Sequence, residues 1–215
     1  SLWESKESNG KVSLASLFEG DADVAAISDL TIEGLAYATC RGGWPASTKL
    51  KEKAALRVAR NYVEEVINYD VHRVDGVDKN TTRVRKLLES YARNISTMAA
   101  NETIMADVRA TDQTISPNTF AIYLSALRRI FIVDDVPAWS PALRSKTKIR
   151  TSPKRHFVDP SIAVALMGTN PQGLLKDFPT FGFLFEDLCA RDMRVYAQAL
   201  DGEVYHYRDK NELEC

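Results

Sequence analysis

The stretch SPNTFAIYLSALRRIFIVDDVPAW, residues 116–139, decides how this chain is read. Ser116 offers a helix cap and Pro117 a first-turn proline. Phe120, Tyr123, Leu124, Leu127 and Ile130 then recur at three- and four-residue spacing, which predicts a helix with one buried face. Phe131, Ile132 and Val133 switch to strand chemistry, and Val136 to Trp139 extends it across Pro137. A helix running into a hairpin arm is expected.

Working upstream, a short helix is predicted from Asn101 to Arg109, closed by a polar turn at Asp112 and Thr114. Before it, Val84, Leu87, Leu88, Tyr91, Ala92 and Ile95 keep the helical period without a miss. Helix, short helix, helix and hairpin is the order of a winged helix-turn-helix. Further back, Ser47 is the expected N-cap of a long helix reaching about Tyr69, with Ala55, Leu56, Ala59, Tyr62, Val63, Val66 and Ile67 inward. Another short helix, Thr31 to Arg41, is stopped by Gly42-Gly43 ahead of Trp44-Pro45. Residues 1–29 read as a connector whose apolar patch at Val12, Leu14, Leu17 and Phe18 docks onto something.

Working downstream, Arg144, Lys146, Lys148, Arg150, Lys154 and Arg155 form a basic run free of acidic residues, the expected wing or the loop leaving it. Two readings stand: a solvated loop, or phosphate contact together with Arg128 and Arg129 of the preceding helix. Phe157-Val158 reads as a short strand, and Asp159-Pro160 starts a helix carrying Ile162, Val164, Ala165 and Leu166. A last helix runs from about Phe181 to near Leu200. On its wheel Phe185, Cys189, Met193 and Ala197 make the apolar stripe, Glu186 lies at the edge, and Asp187, Arg191 and Arg194 face the polar side. Asp201-Gly202 then turns into an alternating strand, Val204 to Tyr207.

Bulk properties name no partner, since 28 basic and 29 acidic residues leave a net charge of -1. The hydrophobic fraction of 45% over 215 residues is enough for a folded core. Cys40, Cys189 and Cys215 give an odd count with wide spacing and no CxxC pair, which argues against a zinc site and a disulfide framework and fits a reducing cytoplasm. Neither a signal segment nor a bilayer-length apolar run is present. No nucleophile motif stands out, and His72, His156 and His206 read as structural. The opening at Ser1 and the charged run ending at Cys215 both suggest cuts in a longer protein.

Four segments together resemble the predicted prokaryotic ATPases of the AAA superfamily that carry an uncharacterised C-terminal domain, domain of unknown function 4143. They are SLWESKESNGKVSL (1–14), RGGWP (41–45), KRHFVDPSIAVAL (154–166), and GFLFEDLCARDMRVYA (182–197) with YHYRDKNELE (205–214). The resemblance implies that the ATPase core lies upstream. Nothing like GxxxxGK[ST] occurs here, so no cofactor is expected in this chain, while ATP and Mg2+ are implied for the complete protein.

The expected fold is mainly α with small β: the winged helix-turn-helix-like domain read from the element order, followed by what the resemblance implies, the truncated start of a restriction-endonuclease-like α/β domain. The expected segments are a connector at 1–45, a helical linker at 46–78, the winged-helix-like domain at 79–155 and the nuclease-like portion at 156–215. In such nucleases clustered carboxylates hold a divalent metal whose bound water attacks phosphate. Glu186 matches their helical acid, as catalytic and metal-binding residue of an incomplete site, and Glu214 precedes the position of the next ligand. Two functions remain open: nucleic-acid binding, with cleavage only in the complete protein, or a protein-interaction or oligomerisation module that couples ATPase state to a partner. The partners implied are the missing ATPase domain, nucleic acid, a second copy or another protein, and no membrane.

Overall fold

The computed structural model describes residues 1–20, 25–140 and 151–208. The described chain is mainly helical. Its elements are α1 (Leu14–Phe18), α2 (Ile32–Arg41), α3 (Glu52–Glu65), a wide π-type turn (Val66–Asp70), α4 (Val71–Arg73), α5 (Thr81–Arg93), α6 (Asn101–Arg109), α7 (Pro117–Arg129), α8 (Pro160–Met167), α9 (Pro171–Leu174) and α10 (Phe178–Gln198).

Local chemistry sets most of these boundaries. Thr31 accepts from Gly34 N–H to open α2, Ser116 accepts from Thr119 N–H to open α7, and Asp159 accepts from Ser161 N–H to open α8. Pro117 and Pro160 occupy the first turns, where their missing N–H costs nothing. The expectation for Ser47 fails: it sits in a short 3-10 turn, Ser47–Lys49, and its hydroxyl donates to Trp44 O instead. Leu50 is then extended, so α3 begins only at Glu52.

The centre of the molecule is α8, PSIAVALM, a helix with no charged residue. A helix apolar all round must be enclosed. It packs on α5 and α3 and also meets α2 and α10. One hydrophobic cluster gathers Val63 and Ile67, Leu87 and Tyr91, Ile104, Leu124 and Leu127, Ile162, and Phe181 and Leu184, so residues of α3, α5, α6, α7, α8 and α10 share it.

Extended structure among the described residues is limited to single bridges. Val133 pairs antiparallel with Phe157 and Val136 with Lys154, while Ala138 pairs in parallel with His206. The arm after α7 thus returns to the segment before α8, and the strand expected over Val204–Tyr207 bridges at His206.

The wheel drawn for α10 is reversed. Asp187, Arg191 and Asp192 are buried with Phe181, Leu184 and Leu188, whereas Phe185 and Met193 are exposed and Cys189 is half-buried. Polar groups tolerate that side only because partners await them there. Those partners build the site described next.

Candidate functional site

The basic residues expected to meet phosphate are not free as a set. Arg144, Lys146, Lys148 and Arg150 lie outside the described residues. Arg129 is exposed at the end of α7. Arg128 Nη2 lies 2.8 Å from Asp135 Oδ2, and Lys154 pairs with Glu186. Arg155 is buried, with 2% of its surface exposed. Its Nη1 lies 3.0 Å from Asp135 Oδ2 and 3.3 Å from the Tyr91 hydroxyl, Nε donates to Ala99 O at 2.8 Å, and Nη2 donates to Asn101 Oδ1 at 2.9 Å. The guanidinium also sits over the Tyr91 ring, 5.6 Å from its centroid.

Arg155 thereby pins the base of the hairpin to α5 and α6, a role no phosphate contact shares. The Tyr91 hydroxyl donates to Asp135; burial first, then the Asp135 charge, pushes the phenol upward, so it stays a donor. A lysine at 155 has one compact ammonium and cannot serve four acceptors spread over a plane. Arg155→Lys is therefore expected to lower unfolding free energy by about 1–3 kcal/mol, read as a lower urea midpoint at unchanged slope.

Glu186 is half-exposed on α10, and its carboxylate is paired with Lys154. No group of three or more His, Cys, Asp or Glu among the described residues could hold a metal ion. Glu214 lies outside the described residues. Beside Glu186 on the helix, Asp187 is fully buried, with His156 Nδ1 at 2.7 Å from its Oδ1. Burial raises the Asp187 carboxyl above its ordinary range, in spite of the opposing hydrogen bond and charge of His156. Among the described residues, burial pushes the Cys40 thiol up to about 12 and the Cys189 thiol up to about 11, which disfavours the thiolate at both.

The most elaborate polar arrangement is one the sequence reading did not assemble. Arg191 of α10 lies between two carboxylates, with Nη1 at 2.9 Å from Asp159 Oδ2 and Nη2 at 2.7 Å from Asp192 Oδ1. Gly43 N–H donates to Asp159 Oδ2 at 2.8 Å. Ser161 donates to Asp159 Oδ1 through its N–H at 3.0 Å and its hydroxyl at 2.5 Å, and accepts from Trp44 Nε1–H at 2.8 Å. Leu2 N–H donates to Asp192 Oδ2 at 2.8 Å. Alongside, Arg41 pairs with Glu7.

Two carboxylates and one guanidinium leave one negative charge in excess, and neutral N–H and O–H donors solvate it in place of water. Burial alone would lower the Arg191 pKa, but Asp159 and then Asp192 outweigh it and hold the guanidinium firmly charged. Asp159 is the helix cap the sequence predicted and also the hub of this junction. The available signal was the Gly42-Gly43 pair beside Trp44, a place where backbone must come close. Residues far apart in the chain meet here: Leu2, Gly43 with Trp44, Asp159 with Ser161, and Arg191 with Asp192.

Such a site locks α2, α8, α10 and the N-terminal segment together. Among the described residues no helix is long and apolar enough to cross a membrane. Neither a curated protein nor a solved structure matches the chain. A family model described as Domain of unknown function (DUF8612) matches residues 32–173, from the first residue of α2 into α9, and takes in Gly42, Trp44, Arg155 and Asp159. With about two thirds of its length inside that match, the chain belongs to the DUF8612 family.

Proposed function

We propose that this chain is the nucleic-acid-binding, regulatory region of a larger ATP-binding protein of AAA type, and that its contact surface is a winged helix. The observation that carries this reading is the pair of antiparallel bridges, Val133 with Phe157 and Val136 with Lys154, directly after α5, α6 and α7. In the chain, the stretch between those bridged arms holds Arg144, Lys146, Lys148 and Arg150 and no acidic residue after Asp135. The Asp135–Arg155 pair anchors the base of the arms, and α7 presents Asn118, Ser125, Arg128 and Arg129 outward. Phosphate neutralisation by such a wing is independent of base sequence.

The test is fluorescence anisotropy of the chain with labelled duplex DNA across a salt series. Affinity is expected to fall log-linearly with salt, at a slope of roughly −0.9 per phosphate neutralised. Changing Arg144, Lys146, Lys148 and Arg150 together to Gln is expected to flatten that slope and weaken binding to all sequences alike. Binding that ignores both salt and these four charges removes the reading. Metal-dependent nuclease-like chemistry belongs, on the same reading, to the complete protein with ATP and Mg2+, and Glu186 can join it only if its pair with Lys154 opens. Glu186→Ala in the complete protein should then abolish cleavage and leave DNA binding intact.

A second reading rests on a different observation. Phe185 and Met193 stand exposed along α10, and a cavity of about 610 Å3 is lined by Leu14, Phe18, Met193, Leu200 and Tyr205. Exposed apolar surface of this kind suits a protein-interaction or oligomerisation module. Sedimentation separates the two: a mass above one chain that Met193→Asp reduces, with unchanged DNA affinity, assigns this face to protein contact.

A further inference from the structure

The connection between α3 and α5 turns on one histidine. The chain leaves α3 through the wide turn Val66–Asp70 and enters α4, which carries His72. Such widened turns recur where a helix does more than span a distance. His72 Nδ1 accepts the Lys79 backbone N–H at 3.0 Å, so this nitrogen bears no proton. His72 Nε2 lies 3.3 Å from Ile67 O, an acceptor, so this nitrogen carries the hydrogen. The two contacts together define the neutral Nε2–H tautomer.

The loop that closes on this ring is held at neighbouring points. Asn80 N–H donates to the Tyr123 hydroxyl of α7 at 2.9 Å. The buried Lys79 ammonium donates to Asp75 Oδ1 at 2.6 Å and to Val77 O at 3.2 Å. Asp78 Oδ1 stands 3.4 Å from the same His72 Nδ1, on a side chain wholly open to solvent. An open polar cleft of about 680 Å3, lined by Tyr69, His72, Arg73, Asp78, Lys79 and Asn80, brings water to the ring.

We propose that His72 is a proton-operated latch: the neutral ring ties the Lys79 backbone to the wide turn after α3, and protonation at Nδ1 releases Lys79 N–H and gives the new N–H to Asp78. The proton comes from solvent. The Lys79 N–H···Nδ1 bond breaks, Nδ1–H to Asp78 Oδ1 forms, and Nε2–H keeps Ile67 O. Other charged and titratable groups around the loop are Asp75 and Lys79, paired with each other, Asp70 and Arg73 on the preceding turns, and Tyr123 and Arg129 from α7, Arg129 acting on Asp75. None but Asp78 is within ion-pairing reach of Nδ1 among the described residues. Histidine suits the task because its charge changes near physiological pH. Release loosens the link 74–80 between α4 and α5. Proton concentration thereby acts on the loop that leads into α5, whose own seat on α8 is apolar.

The experiment is NMR of the imidazole nitrogens with amide exchange of Lys79, on the whole chain, from about pH 8 to about pH 5. Expected is the Nε2–H tautomer at the alkaline end. Lys79 protection, corrected for intrinsic exchange, should fall about threefold to tenfold as the His72 ring signals report protonation. His72→Gln can donate to Ile67 O and accept from Lys79 without titrating, so its Lys79 protection should not change with pH. An Nδ1–H tautomer in the neutral protein overturns the latch, as does a Lys79 amide indifferent to protonation of His72. Should the Gln variant fail to fold, the tautomer and exchange of the unaltered chain still decide.

Discussion

Arg191→Met is expected to lower unfolding free energy by about 3–5 kcal/mol, a large part of the stability of an ordinary domain. Methionine fills much of the arginine's volume but leaves Asp159 and Asp192 buried without their cation. Each carboxylate keeps its neutral donors, Gly43 and Ser161 for Asp159, Leu2 and the Tyr196 hydroxyl for Asp192. One of the two must then take up a proton or draw in water, and either response opens the junction between α8, α10 and the turn after α2. The measurement is the urea midpoint of the variant against the unaltered chain at constant slope. Adding Asp159→Asn to Arg191→Met should recover part of the loss, because groups in contact do not add independently. A loss under about 1 kcal/mol would mean that the pair behaves as a solvated surface bridge.

Gly42→Ala is the second large effect, and it acts through backbone. Gly42 has φ 75 and ψ 176, a conformation that side-chain-bearing residues avoid. A Cβ there would also stand 2.5 Å from Asp159 Oδ1 and from Ser161 Oγ, and 2.7 Å from Trp44 Nε1. Backbone strain alone is worth about 1–3 kcal/mol, and displacing three hydrogen-bonded atoms adds to it. The comparison without crowding is Gly76→Ala, where φ is also positive at 68 but nothing lies within 4 Å of the added carbon. Gly42→Ala should cost clearly more than Gly76→Ala in thermal unfolding, and should shift Trp44 fluorescence as its hydrogen bond to Ser161 is lost. Equal losses at the two glycines would show that the turn after α2 relaxes freely.

These effects bear on what the DUF8612 match covers. Residues 32–173 include the glycine turn and Asp159 but end before α10. The guanidinium that pairs with Asp159 therefore comes from outside the matched span. Folding of the matched part and docking of α10 are coupled through Arg191, and a truncation after residue 173 would leave Asp159 uncompensated.

Helix positions along most of the chain were legible in the residues themselves. Ser116 with Pro117 and Asp159 with Pro160 announce α7 and α8, and the three- and four-residue spacing of Val84 to Ala92 announces α5, because caps and periodicity act within a few residues. Ser47 shows where local reading ends: its hydroxyl had a nearer acceptor in Trp44 O, so a good cap residue capped nothing. The rotation of α10 shows the same limit on a larger scale. By hydropathy Phe185 and Met193 belong inside and Asp187 and Arg191 outside, and the tertiary structure reverses them. It does so because His156 and Asp159, some thirty residues upstream, are placed to receive the charges. The basic run divides likewise. Sequence marks it as positive, and only packing turns Arg155 inward onto Asp135 and Tyr91. The sequence by itself determined most of the helices and their order. The tertiary structure alone decided which charges are buried, since the free energy of a buried ion depends on partners that only the folded chain brings within 3 Å.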